Sequence, residues 1–131
     1  MNSFNPQDFQ KTVFSAEQLA QLLASAKRDL QIADESDINE VIFKFSYDAL
    51  LKAGLYLIAK AGYKVRSKVG HHIKILERMS EILKDEDLLV LGNKMRQDRN
   101  VGLYSGGLSL TEKECSEYLS FVKTIFNIIK S

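Results

Sequence analysis

The sequence predicts an all-α protein, an antiparallel bundle of four or five helices. Three observations lead there. The single proline, Pro6, stands near the start, so everything after it can be helical without a proline break. Apolar residues recur every three or four positions through most of the chain. Two capping boxes, Ser15 with Gln18 and Thr111 with Glu114, mark a first and a last helix. At 131 residues the chain has the length of one domain, and 45% apolar content supplies a core. Residues 1–14 are expected as a flexible arm ahead of a helical domain over 15–131.

The first helix covers 16–33, where Leu19, Leu22, Leu23, Ala26 and Leu30 share a face. A polar link leads to a second helix starting near Ser36 or Asp37. Its stripe of Ile38, Val41, Ile42, Phe45, Ala49, Ala53 and Tyr56 is widened by Leu50, Leu51, Leu55, Leu57 and Ile58, the pattern of a central helix. Gly62 suits its C-terminal cap, and Gly54 permits a close helix contact. YKVRSKV (63–69) reads as a connection. A third helix begins between Ser67 and His71 and ends near Leu83. Asp85, Glu86 and Asp87 suit the positive start of a fourth helix, which Gly106 and Gly107 stop, unless Gly102 stops it sooner. The fifth follows Thr111.

The formal charge is +1, which excludes a strongly charged domain but not a local basic site. Residues 1–40 carry seven acidic and three basic side chains, while residues 60–78 carry six basic and one acidic. Lys64, Arg66 and Lys68 in this stretch, with Arg96 further on, are candidate RNA- or phosphate-binding residues. The other reading is an ordinary solvated face. Tyr63 either stacks on a base or packs at the core boundary. The lone Cys115 excludes an intrachain disulfide and a cysteine zinc site, and is expected to pack as a small apolar group. His71 and His72, adjacent and so divergent on a helix, are awkward joint metal ligands. They are expected to cap the third helix or hold a loop. No metal or cofactor is expected. MNSFNPQDFQ lacks the features of a signal peptide, and Lys52, Lys60 and Lys123 interrupt the apolar runs. These features point to a cytoplasmic protein with no membrane partner.

The patch RQDRNVGLY (96–104) places Arg96, Arg99 and Asn100 on one polar edge, with Tyr104 near the helix end. Metal-free RNA cleavage needs a base for the 2′-hydroxyl, a cation for the phosphorane and an acid for the leaving oxygen. In that scheme Arg99 stabilises phosphate, Asn100 positions it and Tyr104 donates a proton. The alternative is structural: Arg99 and Asp98 secure the helix end, and Tyr104 packs in the core.

This patch, together with ALLKAGLYLIAKAGYKVRSKVGHHIKILE (49–77), resembles the HEPN family of small helical-bundle proteins, and with helix order the likeness covers most of 15–129. Active HEPN ribonucleases resemble one another in an arginine, a following polar residue and a histidine four to six positions after the arginine. Arg99 and Asn100 match the first two, and Tyr104 stands where the histidine is expected. The resemblance implies a symmetric homodimer that brings two motifs together. It also implies an association with RNA or nucleotide metabolism and, for some relatives, a nucleotidyltransferase partner in a toxin–antitoxin pair, with Tyr104 a conceivable acceptor. Because the motif departs at Tyr104, the expectation is a homodimeric interaction domain. The alternatives are a metal-independent endoribonuclease or toxin component and a noncatalytic helical scaffold.

Overall fold

The second helix, α2 (Asn39–Lys60), is sheathed on nearly every side: of its 22 residues, only Glu40, Lys44 and Lys60 are exposed. In the computed structural model, which describes residues 4–104 and 110–130 (backbone only at 103 and 104), four further helices surround it. They are α1 (Ala16–Glu35), α3 (His71–Leu83), α4 (Glu86–Tyr104) and α5 (Glu112–Lys130), and α2 packs against each of them. The protein is an all-α bundle. No helix among the described residues is long and apolar enough to cross a membrane.

Local chemistry sets the helix ends. The Ser15 hydroxyl accepts from the Gln18 backbone N–H, and the Gln18 side chain accepts from Ser15 N–H, so the expected capping box starts α1. Thr111 and Glu114 repeat the arrangement before α5. Gly62, at φ +92°, turns the chain out of α2, as expected of a residue past a helix end. Asp85 accepts from Leu88 N–H at the start of α4. Gly102 does not end α4, which runs to Tyr104. Gly106 and Gly107 lie outside the described residues.

The N-terminal segment departs from the expectation. Where an arm was expected, β1 (Phe9–Lys11) pairs antiparallel with β2 (Tyr63–Val65), inside the stretch read as a plain connection. Phe9 is buried, and Phe4 stacks on Tyr63 with ring centroids 4.1 Å apart. Tyr63 is therefore a packed residue. Polar bonds add to the ladder: Arg66 Nε donates to Pro6 O at 2.9 Å, and Lys68 Nζ bonds the Asp8 carboxylate at 3.0 Å and Gln7 O at 2.8 Å.

The buried side of α2 also differs in detail. Phe43, Ser46 and Tyr47 are buried, whereas Ile38 is 58% exposed. A helix covered all round offers no single face for periodicity to select. Cys115 is buried, as expected. One charge is nearly as deep: Asp29 of α1 meets Lys52 of α2 at 2.8 Å, and Lys52 also donates to Ser25. That pair ties α1 to α2, because removing Lys52 would leave the buried Asp29 carboxylate without its cation, whereas Lys52 itself stays partly in solvent.

Gly54 lets α3 approach. A Cβ there would lie 2.5 Å from Ile75 Cγ2 and 2.6 Å from Met79 Sδ. Gly54→Ala is therefore expected to lose about 1–2 kcal/mol of stability, overpacking outweighing the roughly 1 kcal/mol that alanine adds to a helix. Urea unfolding followed by circular dichroism checks this, and a stabilised variant would show that the approach is not tight.

Candidate functional site

The chain enters α3 through Gly70, at φ +83°, a left-handed turn that glycine adopts without strain. No side chain caps this helix start. His71 and His72 are its first two residues. His71 Nδ1 donates to the Lys68 carbonyl at 2.8 Å and so holds the preceding turn. The next position on a helix points about 100° away, and His72 reaches α2. Its Nδ1 lies 3.1 Å from the Tyr47 hydroxyl.

α4 supplies the opposite wall. Arg96 and Asn100, four residues apart, share one face. Together with the His71–His72 pair and residues 68–70 they line an open cleft of about 280 Å³. Arg96 Nε donates to Asn93 Oδ1 at 2.9 Å, which steadies the guanidinium. Arg99 is exposed, its Cζ 6.0 Å from the centre of the Tyr47 ring.

Burial and charge set the protonation states. Burial pushes the Tyr47 hydroxyl up to about 12, against the opposing pull of Arg99 and Arg96. Burial is also the first cause that holds His72 below its ordinary 6.5, helped by His71, Arg99 and Arg96. His72 is therefore neutral at pH 7. The tautomer follows from Tyr47. That residue is 1% exposed, and His72 is its hydrogen-bond partner among the described residues. A buried hydroxyl keeps its proton in a hydrogen bond. Tyr47 thus donates to Nδ1, and neutral His72 carries its own proton on Nε2. The site joins an uncharged N–H donor, two guanidinium groups and an amide, a donor set suited to an anion.

The sequence candidates divide. Arg96, Asn100 and Lys68 line the cleft, and Arg99 stands beside it over Tyr47. Lys64 and Arg66 are exposed and do not line it, and Arg66 is bonded to Pro6 O. Lys68 directs its ammonium at Asp8, which it holds below the ordinary carboxylate range. Asp98 belongs to another contact: it accepts from Tyr118 at 2.7 Å, where Lys94 also donates, linking α4 to α5. The side chain of Tyr104 lies outside the described residues. Tyr47 and His72 were missed as a pair. The available signal was a phenol on the apolar side of a central helix, which requires a polar partner. Among the described residues no group of three or more His, Cys, Asp or Glu side chains is placed to hold a metal ion.

Compared with known proteins, the chain matches no family model, no curated protein and no solved structure.

A depressed histidine pKa makes stability depend on pH in a defined direction. Between the folded value of His72 and 6.5 the unfolded chain binds more protons, so the His72 contribution falls as pH drops through that window and levels off below it. Proton NMR titration should give His72 a midpoint below 6.5, and His72→Gln should flatten this part of the stability–pH curve. A midpoint at or above 6.5 would contradict the assigned environment.

Proposed function

We propose that this chain is a HEPN-like interaction domain that binds phosphate groups of RNA or of a nucleotide in the cleft between the start of α3 and α4. The observation that carries this reading is the convergence of Arg96, Arg99 and Asn100 with a neutral His72 whose Nε2–H is set by Tyr47. The start of α3 adds the positive end of a helix at the same place, although the His71 and Ile73 N–H groups are already donated to the Lys68 and Gly70 carbonyls. Working as a homodimer, beside a nucleotidyltransferase, completes the proposal and rests on the resemblance of 49–77 and 96–104 to that family.

A second reading, metal-independent RNA cleavage, draws on one observation. A histidine stands in space beside the Arg–Asn pair although the sequence motif places none there. The tautomer ranks this reading second, because a general base needs a lone pair on the nitrogen that faces the substrate, and Nε2 carries a proton.

Fluorescence anisotropy with a short single-stranded RNA tests the binding. Arg99→Ala is expected to weaken it about tenfold and to lower the salt slope by roughly one ion. Binding unchanged by Arg99→Ala would remove the cleft from the proposal. Metal-free cutting of the RNA that is lost in both Arg99→Ala and His72→Gln would instead establish the ribonuclease.

A further inference from the structure

We propose that the cleft selects a terminal phosphate monoester, the phosphorylated end of an RNA or a nucleoside monophosphate, over the internal phosphodiesters of a strand. The inference rests on the phosphate-binding reading above and names its ligand.

Charge is the first argument. A terminal phosphate carries close to two negative charges at neutral pH and three acceptor oxygens, whereas a diester link carries one charge and two free oxygens. Among the described residues, Arg96 and Arg99 have no carboxylate partner, which leaves two full positive charges, one lining the cleft and one beside it over Tyr47. The other charges nearby are already compensated. Lys68 is matched by Asp8 at 3.0 Å, and Asp48, the acidic group acting on His72, is matched by Lys44 at 2.8 Å. A charge of +2 suits the monoester and overmatches a diester.

Donor geometry agrees. His72 approaches from the start of α3, while Asn100 and Arg96 come from α4, with Arg99 beside them over Tyr47. With its Nε held by Asn93, Arg96 keeps its two terminal nitrogens for an oxygen pair. Donors arriving from two helices can serve three oxygens, and a diester would leave some of them unmatched. The cleft, about 280 Å³ and open to solvent, has room for a phosphate group.

The test uses the full chain and four probes. These are a short uridine oligoribonucleotide with a 5′-phosphate, the same oligomer with a 3′-phosphate, the same oligomer with hydroxyl ends, and AMP. An end-phosphorylated oligomer is expected to bind about tenfold more tightly than the hydroxyl-ended one, and Arg99→Ala or Arg96→Ala should abolish that preference. Arg99 is exposed, so its variant keeps the fold, which circular dichroism verifies. Competition by AMP at comparable strength would identify a free nucleotide as the source of the monoester. Binding of the end-phosphorylated oligomer without such competition would identify a nucleic-acid end. Equal binding of all oligomers, weakened equally by Arg99→Ala, would overturn the monoester inference and leave phosphate binding standing. Failure of every probe to bind the folded chain would overturn both.

Discussion

The site depends on how closely α3 lies against α2, and Gly54 sets that distance. A methyl group at Gly54 would collide with Ile75 and Met79. Tyr47 stands seven residues before Gly54 on α2, about two turns or roughly 10 Å away. His72 stands three residues before Ile75 on α3, so the contact that seats α3 also brings the histidine to the phenol. Gly92 does for α4 what Gly54 does for α3, since a Cβ there would lie 2.7 Å from Leu76 Cδ2. Two missing side chains thus draw three helices together where Tyr47, His72 and Arg96 meet.

What could be read in the chain was what is local in it. The capping boxes at Ser15 and Thr111 involve residues three apart, and both formed. Arg96 and Asn100 are one turn apart, and they share the cleft. The Tyr47–His72 bond spans 25 positions, and nothing near either residue announces the other. The ladder that pairs Phe9 with Val65 is less local still, and its strands, FQK and YKV, are too short to declare themselves by alternation. On α2 the difficulty was different: with apolar side chains on almost every side, Phe43 and Tyr47 looked no more buried than Ile38. The family resemblance drew attention to Arg99 and Asn100, while the residues themselves led to the two histidines being read as capping the third helix or holding a loop. That is right for His71, which holds its turn, and incomplete for His72.

The basic stretch over 60–78 shows how charge visible in the sequence can already be engaged within the fold. Its excess of positive charge is real, but much of it is engaged within the molecule. Arg66 and Lys68 fasten the N-terminal segment, and Arg78 pairs with Glu81 while lying under the Phe4 ring. The cations left at the cleft come mainly from α4, a helix with less conspicuous charge. Where a guanidinium is held, and what already neutralises it, matters more than the local density of lysine and arginine.

The Lys68–Asp8 contact gives that arrangement a further consequence. Lys68 belongs to the lip of the cleft, and its partner lies sixty residues earlier, in a segment that might pass for a loose end. The pair is partly exposed, so mobile ions weaken it within the Debye range of about 8 Å that applies near physiological ionic strength. Salt therefore acts on this site along two routes, diluting the pull of the arginines on an anion and slackening the strut that gives the lip its shape.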